Sequence, residues 1–370
     1  MISSDGALLL ANPDGEIILK KNETKKLIPA STLKLLTALA AIRYLGHDYR
    51  FNTEFYLDKM HNLKIKGYGD PVLISESIQS ISIELAERAR DFNNLILDDT
   101  FFSQDISIPG RGSSTNPYDA PAGALCANFN TVFFNRSKNG HIVSAEPVTP
   151  MTPYARQKIE KQGLKGGRCS IFSNQREGAI YAGELFLQFL GEQGVKFNGK
   201  IVHGTVNPND RLIYTYRSEF TLRDILIKMM EFSNNFIANQ VLISMGAHVY
   251  SPPGTLDKGI RLLTAYAKDE LLIEDAEFAE GSGISRKNRI SALDMFKILK
   301  HFAPHRDLLK KSGPVLYKTG TLDGIRTLAG YILNNSDEPC YFVIFLNSAG
   351  HNIDSIMECV KQVCNAGRNN

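Results

Sequence analysis

Ser31 and Lys34 have the residue types and the spacing needed for nucleophilic attack on a carbonyl carbon. They lie three positions apart in a predicted helix, so their side chains share one face of it. A serine hydroxyl attacks only when a base removes its proton, and a lysine can be that base once its pKa is lowered. Apolar neighbours such as Leu35 would lower that pKa by desolvation, and Lys318 could add a repelling charge. Taken alone, such a pair is more often a helix cap beside a solvated lysine.

Ser233 and Asn235 form a second polar pair, with side chains that can handle protons and amides. The same Ser-x-Asn pattern occurs at Ser114 and at Ser137, and both residue types are common in ordinary turns between helices. We select Ser233 because it lies at the junction of two amphipathic helices, which is a rigid place for a site. There Ser233 would relay a proton near a leaving group, and Asn235 would hydrogen-bond Lys34 and a substrate amide.

A third group, Lys318, Thr319 and Gly320, falls near the end of an apparent strand. A positive lysine and a threonine hydroxyl suit a substrate carboxylate, and a glycine permits close approach of the backbone. The backbone N–H groups of Ser31 and Thr321 could bind the oxyanion that develops during attack. An exposed strand end is the alternative explanation for these residues.

The predicted secondary structure brings these groups from distant parts of the chain onto one scaffold. A hairpin precedes a helix that opens at Pro29 and ends at Gly46, and helical periodicity returns at Leu222 and in Phe236–Ile243. The predicted strands are Ala7–Ala11, Glu16–Lys20, Val315–Lys318, Arg326–Leu333 and Tyr341–Leu346, and a closing helix runs from Ile353 to Cys364. Strands divided between the two chain ends, with helices between them, predict an α/β (α+β) core with one sheet built from both termini.

The middle of the chain has a different character. Between about residues 50 and 206 the sequence changes to short strands and to loops rich in glycine, proline and serine, interrupted by a helix at Ala182–Leu190. A chain of 370 residues suits about two domains. We therefore predict a catalytic core of residues 1–49 and 207–370, and a smaller β-rich domain, residues 50–206, inserted between the first and second groups.

The overall composition excludes several classes of protein. Charged residues make up 22% of the chain and the net charge is +3 with no long basic run, so neither nucleic acid nor an anionic membrane is an expected partner. The longest apolar stretch, Leu27 to Ile42, is too short to span a bilayer, so no transmembrane segment is predicted. No secretory signal is recognisable, because Asp5, Asp14 and Glu16 interrupt the N-terminal segment and its only apolar run is Ala7–Ala11.

The cysteine and histidine positions do not predict a metal site. The five cysteines are odd in number and lack metal-ligand spacing, while His301 and His305 have Pro304 between them and no third partner. A disulfide between Cys126 and Cys169 is one alternative, but we expect buried free thiols. No metal and no cofactor are predicted.

Considered together, the three groups resemble those of the D-alanyl-D-alanine carboxypeptidase/endopeptidase family of low-molecular-mass penicillin-binding proteins. The Ser-x-x-Lys, Ser-x-Asn and Lys-Thr-Gly motifs of that family are shared with β-lactamases. The similarity extends to further blocks, several of them specific to the family, and it covers nearly the whole chain. These blocks are Pro29–Leu35, Gly69–Pro71, Tyr118–Pro121, Gly281–Arg286 and Lys318–Leu322.

The resemblance implies a transpeptidase/β-lactamase-like domain with a five-stranded antiparallel sheet flanked by helices. It implies an acyl-enzyme on Ser31 with Lys34 as base, acting on the D-Ala-D-Ala end or the D-Ala cross-link of peptidoglycan stem peptides. β-Lactam antibiotics would then be covalent inhibitors. Tyr118, Arg286 and Leu322 would line the pocket for the stem-peptide side chain. A periplasmic or otherwise extracytoplasmic location follows from that substrate.

The chain also departs from the family pattern. Family members that bind a diaminopimelate amino group often carry Trp-x-x-Asp before the block that begins at Tyr118. This chain has no tryptophan, and Asp119 is the candidate replacement for that acid. The insert is short, which predicts that a nested third domain is reduced or lost. The balance of carboxypeptidase and endopeptidase activity, the stem-peptide preference and the oligomeric state stay open.

Two other functions are compatible with the same motifs. A β-lactamase or esterase would need a carboxylate base above Ser31 for rapid deacylation, and the sequence identifies none. A non-catalytic cell-wall-binding protein would keep the fold without the reaction, but such a protein has no need of an intact Ser31, Lys34, Ser233, Asn235 and Lys318. We therefore expect a serine hydrolase.

Overall fold

The computed structural model describes residues 4–333, 338–348 and 353–366. In chain order, the strands within these ranges are β1 (Gly6–Ala11), β2 (Ile17–Lys21), β3 (Asn52–Leu57), β4 (Leu63–Gly67), β5 (Asp91–Phe92), β6 (Leu95–Asp98), β7 (Val132–Arg136), β8 (Ile142–Ser144), β9 (Gly167–Cys169), β10 (Lys196–Phe197), β11 (Ile201–His203), β12 (Arg211–Arg217), β13 (Lys310–Ser312), β14 (Val315–Leu322), β15 (Ile325–Leu333) and β16 (Pro339–Leu346). The α-helices are α1 (Lys34–Leu45), α2 (Ser75–Ala86), α3 (Pro153–Lys161), α4 (Gln175–Glu192), α5 (Leu222–Glu231), α6 (Asn235–Tyr250), α7 (Leu256–Asp269), α8 (Ala292–Phe302) and α9 (Ile353–Ala366). Within the described ranges, no helix combines the length and the apolar character needed to cross a bilayer.

The chain divides into two compact units. The first comprises Met1–Gly46, Leu226–Ala238 and Gly259–Asn370, and the second comprises His47–Ile225 and Asn239–Lys258. Residues 50–206 all fall within the second unit. That they form a separate inserted domain stays a prediction.

A six-stranded antiparallel sheet, in the order β13-β14-β15-β16-β1-β2, is the centre of the first unit. β1 comes from the start of the chain and pairs with β16 from its end, with Gly6 opposite Leu346. Every residue of β1 is buried, and a strand covered on both faces is expected to be a continuous apolar run like this one. The predicted sheet built from both termini is therefore confirmed.

The sheet has one strand more than the five expected. β13 adds Lys310–Ser312 at the edge, and each of its residues is exposed. Two lysines and a serine show no alternation of apolar and polar side chains, so the pattern does not predict a strand there. Charged side chains are common on edge strands because they discourage pairing with another chain.

Helices cover both faces of this sheet. On one face α9 packs against β15 and β16, where Val360 joins Phe342 and Ile344 in a buried cluster. Side chains alternate between the faces of a strand, so Tyr341 points the other way, and its ring meets that of Phe296 on α8 at 5.5 Å between centroids. α1 packs against α8 in turn. The sheet thus fixes, through α8, the helix that begins with the lysine of the first motif.

The second unit is organised by a five-stranded sheet in the order β11-β6-β4-β3-β12, with the smaller sheets β8-β7-β9 and β10-β5 beside it. α2 packs with α4, and Leu185 and Phe186 of α4 join Phe55 and Ile65 in the core of this unit. The helix predicted at Ala182–Leu190 lies within α4, which is longer at both ends.

Cysteine pairing differs in part from the expectation. Cys126 and Cys169 are buried free thiols, as predicted. Cys340 on β16 and Cys364 on α9 instead form a disulfide. The sequence does not predict this bond, because only the packing of α9 on the sheet brings the two residues together.

Candidate active site

Ser31 lies in a short 3-10 helix that leads directly into α1, and it keeps part of its surface accessible. Ala30 before it adopts a φ of 46°, in the left-handed region that residues with a Cβ rarely occupy. The turn is held by the Pro29 carbonyl oxygen, which accepts hydrogen bonds from the hydroxyls of Thr32 and Thr327, each at 2.7 Å. Backbone held in a sparsely populated region is concentrated at functional sites, because surrounding contacts must maintain it.

Lys34 is fully buried, and its Nζ donates hydrogen bonds in three directions. The acceptors are Ser31 Oγ at 3.1 Å, Asn235 Oδ1 at 2.7 Å and the Ser282 carbonyl oxygen at 2.7 Å. A lysine is almost never fully buried unless partners satisfy its amine. Here the partners come from the preceding helical turn, from α6 and from a loop before α8.

Two effects hold the pKa of Lys34 well below its ordinary value of 10.5. Burial is the larger effect, because it removes the hydration of the ammonium, and the positive charge of Lys318 adds to it. The carboxylate of Glu280 acts in the opposite direction and raises this pKa. A lowered pKa makes the neutral amine, the form that accepts a proton, more abundant near neutral pH.

Ser233 and Asn235 lie where α5 ends and α6 begins, at the predicted helix junction. Ser233 adopts a φ of 50°. Asn234 caps α6, since its Oδ1 accepts a hydrogen bond from the N–H of Ile237 at 3.0 Å. The cap fixes the first turn of α6, from which Asn235 reaches Lys34.

Lys318 extends from β14 and is only 2% exposed. Its Nζ donates hydrogen bonds to Ser233 Oγ at 2.7 Å and to the Thr319 carbonyl oxygen at 2.8 Å. Burial lowers the pKa of Lys318 to about 8. The structure thus brings all three groups together within the first unit, since Lys34 bonds Asn235 and Lys318 bonds Ser233.

β14 passes the turn that contains Ser31 with a glycine at the point of contact. A Cβ added to Gly320 would lie 2.8 Å from the Ser31 nitrogen and 2.2 Å from Thr327 Oγ1, so no side chain fits there. The residues on either side, Thr319 and Thr321, are exposed. Among the strands of the described ranges, β13 pairs with β14 only from Val315 to Tyr317, which leaves the following edge of β14 without a strand partner.

The loop before α8 also contributes to the site, and of its residues only Arg286 is predicted from the sequence. Ser282 gives Lys34 a backbone carbonyl acceptor, and the buried carboxylate of Glu280 accepts hydrogen bonds from the N–H groups of Ser282 and Gly283. Because every residue has a backbone carbonyl group, residue type does not show which carbonyl will accept this hydrogen bond. In the sequence, this loop is marked only by the family block Gly281–Arg286.

The three residues predicted to line the substrate pocket do not all lie in the same unit. Arg286 is exposed, and its Nη2 donates a hydrogen bond at 2.5 Å to the carbonyl oxygen of Asp323, in the turn that follows Leu322. Leu322 packs against the small buried cluster that includes Ala30. Tyr118 lies in the second unit, is 54% exposed, and its hydroxyl accepts a hydrogen bond from the side-chain amide of its neighbour two positions earlier. Their contacts with substrate stay predictions.

Asp119 is not placed to bind a substrate amine. It is only 2% exposed, and its carboxylate accepts hydrogen bonds from the N–H of Gly112 at 2.7 Å and from the hydroxyl of Ser114 at 2.5 Å. It therefore shapes its own loop. Ser114, which begins another Ser-x-Asn pattern, is part of that loop.

The chain is similar in sequence to one known family of proteins. The sequence matches the D-Ala-D-Ala carboxypeptidase 3 (S13) family over residues 6–171, 162–312 and 309–363. It is 26% identical over 398 residues to the D-alanyl-D-alanine carboxypeptidase DacB of Haemophilus influenzae, covering 90% of this chain and 83% of that protein. It is 24% identical over 415 residues to the D-alanyl-D-alanine carboxypeptidase of an Actinomadura species, covering 92% of this chain and 77% of that protein.

Solved structures share the fold. The crystal structure of penicillin binding protein 4 (dacB) from Haemophilus influenzae has a TM-score of 0.78 at 21% identity, covering 100% of this chain and 97% of that one. The same protein in complex with a β-lactam has a TM-score of 0.72 at 22% identity, covering 98% and 95%. These similarities confirm the predicted fold class. Because the family match extends over most of its length, the chain belongs to the D-Ala-D-Ala carboxypeptidase 3 (S13) family.

Proposed function

We propose that this protein is a serine D,D-peptidase that cleaves the D-Ala-D-Ala end or the D-Ala cross-link of peptidoglycan stem peptides through an acyl-enzyme on Ser31. The observation that carries the proposal is the set of partners of Lys34, whose Nζ lies 3.1 Å from Ser31 Oγ and 2.7 Å from the oxygens of Asn235 and Ser282. A neutral amine has two N–H groups, and the two carbonyl oxygens accept both of them. The lone pair of the nitrogen is then left facing the serine hydroxyl.

This arrangement supports general-base activation of Ser31. The hydroxyl oxygen bonds to the carbonyl carbon of the penultimate D-alanine while its proton passes to Lys34 Nζ. The amide C–N bond then breaks, the departing amine takes up a proton, and water later hydrolyses the ester to free Ser31. Burial and the charge of Lys318, which lower the pKa of Lys34, suit the amine to this role at neutral pH.

The second lysine and its serine partner suit the leaving-group side of the reaction. Ser233 Oγ accepts a hydrogen bond from Lys318, so its own proton can be passed to the departing amine. Lys318 and Thr319 would bind the terminal carboxylate of the substrate. The N–H groups of Ser31 and Thr321 would bind the oxyanion, and the tight contact between β14 and the Ser31 nitrogen supports this pairing of donors.

The substrate class determines the expected location and the inhibitors. Stem peptides lie outside the cytoplasm, so we place the enzyme in the periplasm or another extracytoplasmic space. The disulfide between Cys340 and Cys364 supports this, because disulfides persist in oxidising compartments. β-Lactams present an amide beside a carboxylate, and a relative of the same fold was solved with one. We therefore infer that they acylate Ser31.

A β-lactamase is the less favoured function. Fast release of a penicilloyl group requires a carboxylate that activates water at the acyl-enzyme. Glu280 is the acid whose charge acts on Lys34, but its carboxylate oxygens accept hydrogen bonds from the residues of its own loop. A slow deacylation and a long-lived adduct are the expected behaviour.

Mass spectrometry of the intact protein after incubation with penicillin tests the proposal. The ring-opening reaction adds the whole penicillin molecule, and we expect one such adduct, located by peptide mapping on Ser31 and absent from Ser31→Ala. Ser113→Ala, at an exposed serine of the second unit, is the matched control and should label like the wild type. Labelling that persists in Ser31→Ala, or a wild-type protein that releases no D-alanine from any stem peptide, would contradict the proposal.

A further inference from the structure

The loop that gives Lys34 its carbonyl acceptor is built around a buried acid. Glu280 is 0% exposed. One carboxylate oxygen accepts hydrogen bonds from the N–H and the hydroxyl of Ser282, both at 2.6 Å. The other accepts from the N–H of Gly283 at 2.7 Å and from the side-chain amide of Asn288 at 2.8 Å. These partners are all donors, so the site suits an ionised carboxylate, which only accepts hydrogen bonds.

Ser282 links this carboxylate directly to the proposed base. Its N–H and hydroxyl bind Glu280, while its carbonyl oxygen accepts the hydrogen bond from Lys34 at 2.7 Å. The Ser282 carbonyl shares its peptide group with the N–H of Gly283, so rotation of that peptide would break both the hydrogen bond from Lys34 and the one from Gly283 to Glu280. The charge of Glu280 raises the pKa of Lys34, and its hydrogen bonds fix the acceptor that orients the amine.

The loop is also seated on the start of α1. The hydroxyl of Thr37 donates a hydrogen bond to the Gly281 carbonyl oxygen at 2.7 Å. Gly283 lies against the turn of Ser31, as its φ of 85° and its close approach to Ala30 require a glycine there. A change in the loop therefore reaches both Ser31 and Lys34.

The charged groups that act on Lys34 come from two elements. Lys318 of β14 lowers its pKa and Glu280 of the loop raises it, while the remaining hydrogen-bond partners, from the Ser31 turn and from Asn235 of α6, are neutral. The charges of Glu280 and Lys318 thus have opposite effects on the pKa of Lys34.

We propose that Glu280 is a positioning residue for the acylation step, holding the Ser282 carbonyl against Lys34 and presenting its negative charge to that amine. The inference rests on the proposed function of Ser31 and Lys34. The proposal assigns Glu280 no direct contact with the substrate. Its effect on the reaction passes through the base.

The test is the pH profile of the rate of penicillin acylation in wild type, Glu280→Gln, Glu280→Asp and Thr37→Val. Removing the negative charge favours the neutral amine, so the acid limb of Glu280→Gln should move to lower pH by about one unit. Glu280→Asp keeps the charge and should keep the wild-type midpoint. Thr37→Val loosens the same loop without changing charge, so it should lower the plateau rate and leave the midpoint unchanged.

Two results would overturn the proposal: a Glu280→Gln midpoint equal to that of the wild type, or an equal shift in Thr37→Val. If thermal unfolding shows that Glu280→Gln does not fold, Glu280→Asp decides. Its shorter carboxylate withdraws from the Ser282 N–H, so the plateau rate should fall by about tenfold or more at an unchanged midpoint. A wild-type plateau or a shifted midpoint in that variant would exclude the role.

The outcomes separate this inference from the function on which it rests. A wild-type protein without an adduct on Ser31 contradicts the proposed function itself. A wild type that acylates normally, together with unchanged pH profiles in the Glu280 variants, contradicts the role of Glu280 alone.

Discussion

A Cβ placed on Gly283 would lie 1.9 Å from the carbonyl oxygen of Ala30 and 3.0 Å from the nitrogen of Ser31. Gly283 also has a φ of 85°, a conformation that side-chain-bearing residues rarely adopt. Contact and backbone geometry thus both exclude a side chain. The loop before α8 and the turn that contains Ser31 can touch only because this residue is glycine.

Gly283→Ala should therefore damage both stability and reaction. Forcing one methyl group into a packed contact costs about 1–3 kcal/mol, and a displaced Ser31 should acylate about 100-fold more slowly. Denaturant unfolding and penicillin acylation rates measure the two effects. Gly191→Ala is the control, since a Cβ at Gly191, on α4, would meet nothing within 4 Å. A Gly283→Ala protein that behaves like this control would refute the packing argument.

Lys34→Met should abolish most of the acylation while preserving the fold. Methionine replaces the buried stem with an unbranched apolar chain, so the free energy of unfolding should change little, whereas loss of a general base typically slows a reaction by about 10²–10⁴-fold. Stopped-flow acylation and thermal unfolding are the measurements. Lys59→Met, at an exposed lysine, should match the wild type in both. Near-normal acylation of Lys34→Met would mean that another group is the base.

Ser233→Ala tests which Ser-x-Asn pattern belongs to the site. Because Ser233 Oγ is hydrogen-bonded to Lys318 at 2.7 Å, its loss should slow acylation by about 10²-fold or more. Ser137→Ala, in the exposed alternative pattern, should leave the rate unchanged. The assignment fails if the two variants have equal rates, or if only Ser137→Ala is slow.

The buried charge of Lys318 predicts a pH dependence of stability. Its pKa is about 8 in the folded protein and near 10.5 when unfolded, so the unfolded chain binds more protons between these values. The free energy of unfolding should therefore rise with pH in that window, and the contribution of Lys318 should increase by about 1–2 kcal/mol from pH 8 to pH 9.5. Denaturant unfolding of wild type and Lys318→Met across that range measures this contribution together with the effect of the Lys318 charge on the pKa of Lys34. Parallel curves for the two proteins would contradict the shifted pKa.

The disulfide between Cys340 and Cys364 should stabilise the first unit. Its sequence separation of 24 corresponds to about 3 kcal/mol in the chain-entropy description. A reductant should lower the melting temperature of the wild type and leave that of the Cys340→Ser, Cys364→Ser double variant unchanged. Cys359→Ser, which removes an exposed free thiol, should keep the wild-type response. Identical melting with and without reductant in the wild type would argue against the bond.

The parts of the site that could be predicted are those that depend on residue type and on spacing along the sequence. Helical geometry places Ser31 and Lys34 on one face, and the break in periodicity places Ser233 between two helices. The apolar runs of β1 and β16 predict central strands. Each of these features depends on neighbours in sequence, so a pattern reveals it.

The parts that could not be predicted depend on tertiary contact. Ser282 serves Lys34 with a carbonyl group that every residue possesses, so nothing in its type marks it. The positive φ of Ala30 and the pairing of Cys340 with Cys364 exist only once the sheet and its helices are packed. β13 is short and polar, and only its pairing with β14 makes it a strand. Such features follow from the folded structure and not from residue type.

The pairing of β1 with β16 has a consequence for how the protein is made. Ser31 is therefore synthesised well before the strand that pairs with β1. A nascent or interrupted polypeptide that stops before Pro339 leaves one edge of β1 without its native neighbour. The sheet on which α8 packs is then incomplete, and with it the support of the helix that contains Lys34.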